Sequence, residues 1–244
     1  MALAAAIQIA DQDVNTISAS QGGEVLGQIA TTSDGRTFVY SRAGAADLAN
    51  GKLTNSPAVV ANDINRVLGS ALPAGSNKVT ITLGGTATSD QYKGGYFVVN
   101  DSVGEGQSVY SVQGNTAATS GSSNSTIVSL FGATTTALTS VSDVSLYPNL
   151  NSATVLAAAD AAIPVTGVPT VAVTAGYYYW SQVGGYASVL SAGAITKNAN
   201  AIVSASVQGA ATIQLAASVT QVVGFAPELT VDTEFRPLFL TINA

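Results

Sequence analysis

The stretch Val79-Thr80-Ile81-Thr82-Leu83 decides the fold class, because apolar residues and threonines alternate along it. Successive side chains of an extended strand point to opposite faces, so a period of two places Val79, Ile81 and Leu83 on one face. The stretch therefore predicts a β-strand.

The chain beyond this stretch has the same character. Short apolar runs are separated by turns rich in Gly, Asn, Asp and Ser, and no strict repeat indicates a solenoid. These runs predict further strands at residues 96–99, 108–112, 126–130, 141–146, 170–174, 177–183, 187–190, 201–206, 211–215, 221–225 and 238–242. Many short strands with glycine turns predict a mainly β fold made of short-stranded barrel or sandwich regions.

The N-terminal part begins without a clear period, and residues 1–20 are predicted to form an arm. Strands are predicted at residues 24–31 and 37–41. Ser33-Asp34-Gly35-Arg36 lies between them as a turn signal, because glycine after aspartate readily supplies the positive φ that tight hairpins need. The two strands therefore form a predicted β-hairpin.

One short α-helix is predicted to begin at Ser56-Pro57. Serine is a favourable N-cap residue, and proline fits the first helical position. The apolar positions that recur on one face, over about three turns before Gly69, are Val60, Ile64, Val67 and Leu68.

These elements divide the chain into three predicted parts. Residues 1–75 hold the arm, the hairpin and the helix, residues 76–150 form a first β region, and residues 151–244 form a C-terminal β domain. The alanine-rich patch within residues 150–163, followed by Pro164 and Pro169, is the predicted join. The polar, low-complexity stretch 114–125 is predicted to be a mobile surface loop, and the alternative is a segment that orders only against a neighbour.

The chain contains neither Cys nor His, which removes most of the usual catalytic and metal-binding chemistry. Asp11, Asp13 and Asn15 resemble the start of a calcium loop, but Thr16 and Gly22 stand where that loop needs Gly and Glu. We therefore expect no enzyme, no catalytic residue, no metal and no cofactor. One alternative stays open, since two carboxylates distant in sequence would make a hydrolase if they met in space, as in glycosidases.

Charged residues make up only 9% of the chain, and the net charge is −6. The eight basic residues are spread from Arg36 to Arg236, so no nucleic-acid partner is expected. No apolar run is long enough for a membrane span, and the apolar start lacks the basic residues of a signal peptide. A surface with few charges favours dense packing against other proteins, because little desolvation is required, although secreted surface proteins have a similar composition.

The strongest local feature is Tyr177-Tyr178-Tyr179-Trp180, because a strand would turn these aromatic side chains alternately to its two faces. One face is expected in the core, while the other needs a second cover, either another sheet or another subunit. Arg36 and Arg42 flank the strand 37–41 and are candidates for bidentate contacts with a partner's carboxylate. These six residues are the predicted protein interface, and stacking of a carbohydrate on the aromatic rings is an alternative use.

Three stretches together resemble the head decoration, or cement, proteins of tailed phages. Residues 34–53 are similar to a sequence block of these proteins that reads DGR-F-Y---AG----A-GKL. The second stretch comprises residues 92–99 and 104–115. Residues 175–185 are similar to a GYYGWVQ--G block, although Tyr179 stands where a Gly is common.

The resemblance implies a bacteriophage virion protein on the capsid exterior, assembled in the host cytoplasm. Its implied partners are the major capsid protein and copies of itself, in a homo-oligomer such as a dimer or trimer, and no catalytic residue is carried over. We therefore expect a structural protein that stabilises the capsid against internal DNA pressure, with residues 1–20 lying over a neighbour. The alternative is a receptor- or glycan-binding protein of a tail or a cell surface.

Overall fold

The computed structural model describes residues 6–106, 109–158, 163–216, 218 and 220–242. Within them the chain is mainly β, as predicted, and its strands form two separate sheets. One compact unit is formed by the described residues of Ala58–Asn149, here called the inserted unit. The other is formed by those of Ala2–Pro57 and Leu150–Ala244, here called the split unit. This division differs from the three consecutive predicted parts, because strands from the two ends of the chain pair within the split unit.

The described residues contain eighteen strands, numbered here in chain order. They are β1 (Ile7–Gln8), β2 (Ile17–Ser18), β3 (Ile29–Thr31), β4 (Thr37–Arg42), β5 (Thr54–Asn55), β6 (Arg66–Val67), β7 (Lys78–Thr82), β8 (Tyr96–Asp101), β9 (Tyr110–Asn115), β10 (Ser125–Leu130), β11 (Asp143–Tyr147), β12 (Val155–Leu156), β13 (Val165–Pro169), β14 (Tyr178–Leu190), β15 (Asn200–Val203), β16 (Ala211–Ile213), β17 (Val222–Phe225) and β18 (Phe235–Thr241).

The split unit is built around β14, a strand of 13 residues. Its sheet has the order β1-β3-β4-β14-β18-β17-β15-β16, and β2, β5, β12 and β13 attach beside this path. The first half of β14 pairs with β4 and the second half with β18, both antiparallel. Val189, Leu238 and Leu240 point from these strands into the core and are at most 1% exposed. A single long strand therefore joins residues 29–42 to the C-terminal strands.

The inserted unit contains the other sheet, in the order β6-β11-β8-β9-β10-β7. Its two end strands lie close to one another, since Arg66 Nε of β6 donates a hydrogen bond to the Thr82 carbonyl of β7 at 3.1 Å. The sheet is thus a nearly closed barrel, which leaves few unpaired edge groups.

Two local predictions are confirmed. Val79 and Ile81 are fully buried and Leu83 is 2% exposed, whereas the threonines between them face outward. The predicted hairpin is formed by β3 and β4, which pair antiparallel. Its turn has Gly35 at φ +84° and closes with a hydrogen bond from the Thr32 amide to the Arg36 carbonyl at 3.0 Å.

The predicted α-helix is wrong, and no α-helix occurs among the described residues. The chain instead forms one 3₁₀ turn at Ala61–Asp63 and then β6. Val60 and Val67, expected on the buried face, are 37% and 54% exposed, whereas Asp63 is buried and accepts a hydrogen bond from the Tyr92 hydroxyl. A tertiary contact therefore overrides the local helical pattern. No helix in the described part of the chain is long and apolar enough to cross a membrane.

The described part of the predicted arm, residues 6–20, lies on the split unit. β1 pairs in parallel with β3, and β2 pairs antiparallel with β14. Between them Val14 is 1% exposed and packs in a cluster with Phe38, Tyr40 and Trp180. Burial of this single valine, which has no periodic apolar neighbours in sequence, anchors the segment to its own chain.

Several strands differ in extent from their predictions. The predicted strands 177–183 and 187–190 are one strand, β14. The strand predicted at 170–174 is not formed. Instead, β13 lies directly before it, beginning after Pro164 and ending at Pro169. The loop predicted at 114–125 overlaps the end of β9 and the start of β10. Residues 159–162 of the predicted join lie outside the described residues.

Candidate protein-interaction surface

The predicted aromatic stretch 177–180 lies at the start of β14, and its side chains alternate between two faces. On one face Tyr179 is 1% exposed and packs against Leu48. The Tyr179 hydroxyl shares a hydrogen bond of 2.9 Å with the Thr154 hydroxyl, and burial raises the pKa of Tyr179. Tyr177 is half-buried against the same cluster.

On the other face Tyr178 and Trp180 gather around Tyr40 of β4. The Tyr40 and Tyr178 rings are stacked with their centroids 5.8 Å apart, and the Trp180 ring is tilted against Tyr40 at 5.0 Å. Val14 from the N-terminal segment packs against this cluster. Residues of the same chain therefore pack against both faces of the stretch.

Arg42, the last residue of β4, is exposed beside this cluster. Its guanidinium lies 5.5 Å from the centroid of the Tyr178 ring, and its Nε donates to the Gly176 carbonyl at 3.0 Å. Arg42 forms no ion pair with any described residue. Its terminal N–H groups are therefore held in a fixed orientation without a carboxylate partner from the described chain.

Arg36 lies at the β3–β4 turn, with its guanidinium 5.6 Å from the centroid of the Phe38 ring, and already has carboxylate partners. Its Nη2 is 2.9 Å from Asp11 Oδ1, and its Nε is 2.7 Å from Asp34 Oδ2. Hydrogen bonds from the Thr32 hydroxyl and from Arg36 lower the pKa of Asp34 to about 2. Arg36 thus uses its hydrogen-bond donors on carboxylates of its own chain. Of the predicted interface residues, the fold brings together Arg42, Tyr178 and Trp180.

The large aromatic surface of the split unit lies elsewhere, on the outer side of β14, β18 and β17. Tyr186 and Phe239 are directly opposite one another, with ring centroids 5.3 Å apart in an edge-to-face contact. Phe225 continues the row from β17 and stacks on Phe239 at 5.2 Å. Phe235 lies on the same side of β18, since it is four residues before Phe239. We call these four residues the aromatic face; Tyr186 is 58% and Phe235 is 50% exposed.

The strands that carry the aromatic face contain a single charged residue, Arg236. Its guanidinium is engaged by Glu234 at 2.6 Å and by Glu228 at 3.7 Å. Core residues alternate with the aromatic ones along β14 and β18, so the face is turned away from the core of its own unit. A contiguous, exposed and nearly uncharged aromatic patch is typical of protein contact surfaces.

The sequence reasoning missed the aromatic face because its members lie on three strands between residues 186 and 239. One local signal was present. Phe235 and Phe239 are four positions apart, and Leu238 and Leu240 flank Phe239, so a strand would set the aromatic and aliphatic residues on opposite faces. The pairing that adds Tyr186 and Phe225 to the row leaves no such local signal.

A cavity of about 390 Å³ opens beside the Tyr40, Tyr178 and Trp180 cluster, next to the N-terminal segment. Its lining also includes two acidic residues, Asp13 and Glu24, and no Lys or Arg among the described residues. The cavity thus combines aromatic rings with acidic groups that are distant from the rings in sequence.

No protein-family model, no curated protein and no solved structure matches this chain.

Proposed function

We propose that this chain is a non-catalytic structural protein of a tailed-phage virion, which decorates the outside of the head. In this proposal it binds major capsid protein subunits and neighbouring copies of itself, after assembly in the host cytoplasm. The observation that carries the proposal is the aromatic face, in which Tyr186 and Phe235 are exposed and Phe225 and Phe239 are partly exposed, on strands that hold a single charged residue.

The mechanism is the burial of this face against a neighbouring protein. Aromatic side chains contribute much of the energy of protein contacts, because each one removes a large apolar area from water. Few charges lose their hydration in the contact, since the only one on these strands is already paired within the chain. A contact of this kind would tie adjacent capsid subunits together against the pressure of the packaged DNA.

The phage assignment itself is supported by the resemblance to head decoration proteins of residues 34–53, of residues 92–99 with 104–115, and of residues 175–185. The aromatic face supports the coarser part of the proposal, a protein that packs against other proteins. A receptor- or glycan-binding protein of a tail or cell surface is the competing function.

The number of copies per particle separates these functions. We expect quantitative mass spectrometry of purified particles to find this chain in hundreds of copies, as a head lattice requires. A tail component would be present in a handful of copies, and that result would overturn the decoration role.

The contribution of the aromatic face is tested by Tyr186→Lys. A lysine buried there without a partner would be strongly unfavourable, so we expect the copies bound per particle to fall about tenfold or more. Tyr96→Lys is the matched control, because Tyr96 is 41% exposed on β8 of the inserted unit. If Tyr186→Lys binds like the unchanged protein, or if both variants lose binding equally, the aromatic face is not the contact surface.

A further inference from the structure

The cavity beside Trp180 carries unused hydrogen-bonding groups. Trp180 is 5% exposed and lines the cavity, yet its indole N–H donates to no described residue. Tyr40, also 5% exposed and lining the cavity, accepts a hydrogen bond from the Gly22 amide at 3.3 Å, but its own hydroxyl proton is given to no described acceptor. Two donors on residues that line the cavity therefore have no acceptor among the described residues.

Asp13 and Glu24 line the same cavity, and neither forms an ion pair with a described residue. Burial, and also the negative charge of Glu24, raise the pKa of Tyr40, which agrees with a carboxylate close to the ring. The cavity is therefore lined by two acidic residues, by two donors without a described acceptor and by three aromatic side chains, those of Tyr40, Tyr178 and Trp180.

A ligand for this cavity must meet three requirements. It must accept hydrogen bonds from Trp180 and Tyr40, donate hydrogen bonds to the carboxylates, and offer an apolar surface to the rings. Sugar hydroxyls both donate and accept, and the C–H face of a sugar ring packs on aromatic side chains. An organic cation would satisfy the carboxylates and the rings but leave both donors unpaired. An acidic sugar or a phosphate would be repelled by the carboxylates.

We infer that this cavity binds a neutral saccharide unit, held between the aromatic wall of Tyr40, Tyr178 and Trp180 and the carboxylates of Asp13 and Glu24. The volume of about 390 Å³ falls within the range of small-molecule sites. This site is separate from the aromatic face, because none of the four residues of that face lines the cavity.

The chain contains its own reporter for this site, because Trp180 is its single tryptophan. The intact protein is titrated with lactose, cellobiose and chitobiose while Trp180 fluorescence is recorded, and isothermal calorimetry repeats each titration. Sialyllactose is the acidic counterpart of lactose, and choline tests the organic cation. We expect a saturable change with at least one neutral disaccharide, and none with sialyllactose or choline.

Glu24→Gln keeps the size of the side chain and removes its charge. We expect it to weaken binding of the responding disaccharide about tenfold, because a hydrogen bond to a charged acceptor becomes one to a neutral acceptor. Glu105→Gln is the matched control, since Glu105 is exposed in the inserted unit, and it should bind as the unchanged protein does. Thermal unfolding of both variants verifies that they are folded.

The inference is overturned if no neutral disaccharide changes the fluorescence, or if binding is the same in Glu24→Gln as in Glu105→Gln. A response to choline alone would replace the saccharide with a cation. A response to sialyllactose as strong as that to lactose would contradict the role of the carboxylates.

Discussion

Asp63 of the inserted unit shows how one residue changes the local structure. Its side chain is buried, with Oδ2 accepting a hydrogen bond from the Tyr92 hydroxyl and Oδ1 without a partner among the described residues. Burial, followed by the hydrogen bond to Asp63, raises the pKa of Tyr92. The buried carboxylate depends on this donor, because burying an unpaired polar group is costly. This contact holds residues 61–63 in the 3₁₀ turn that replaces the predicted helix.

The dependence of Asp63 on Tyr92 predicts the effect of Tyr92→Phe. The substitution removes the hydroxyl and leaves a buried carboxylate without its donor, so the free energy of unfolding should fall by about 1–3 kcal/mol. Urea unfolding measures the loss. Tyr96→Phe is the control, because its exposed side chain should change stability by less than about 0.5 kcal/mol. Equal stability of the two variants would contradict a structural role for the buried pair.

At the scale of elements, the aromatic face depends on the close pairing of β17 with β18. Gly224 lies opposite Leu240 in this pair, and a Cβ at Gly224 would collide with the Phe239 carbonyl oxygen. The backbones can approach because residue 224 has no side chain. The stacking of Phe225 on Phe239 therefore depends on a glycine that is not part of the face.

This close approach predicts that Gly224→Ala separates the two strands. We expect a loss of about 1–3 kcal/mol in the free energy of unfolding, as for other overpacked sites, measured by urea unfolding. The matched control is Gly132→Ala, because a Cβ at Gly132 meets no atom within 4 Å. If the two variants are equally stable, the strands have room for a side chain at position 224.

At the scale of the whole molecule, both units contain buried tyrosines. Burial is the main cause of the raised pKa of Tyr40 and Tyr179 in the split unit and of Tyr92 in the inserted unit. In the unfolded chain these phenols ionise near their ordinary pKa of about 10. A raised pKa in the folded state means that the unfolded state releases protons first as the pH rises.

The protein is therefore expected to lose stability above about pH 10, whereas these phenols contribute no pH dependence below it. The measurement is the urea midpoint at pH 8 and at pH 11, with phenolate absorbance as a second readout. Tyr92→Phe should show a smaller alkaline loss than the unchanged protein. An unchanged midpoint at pH 11 would mean that the buried phenols ionise as readily in the folded protein as in the unfolded one.

Local sequence patterns were sufficient for the features whose cause is local. The alternation around Ile81 determined a strand, and Asp34-Gly35 determined a hairpin turn, because side-chain direction and backbone conformation depend on adjacent residues. The mainly β class follows from the number of such runs. The prediction that the side chains of Tyr177-Tyr178-Tyr179-Trp180 alternate between two faces is confirmed for the same reason.

The tertiary structure decided which of these surfaces is exposed. The aromatic stretch 177–180 packs largely against its own chain, whereas Tyr186, Phe225 and Phe239 form a partly exposed row because β14 and β17 both pair with β18. The cavity likewise combines Asp13 and Glu24 with Trp180, more than 150 residues later. Burial depends on contacts between distant segments, and a sequence pattern specifies the faces of a strand without specifying what covers them.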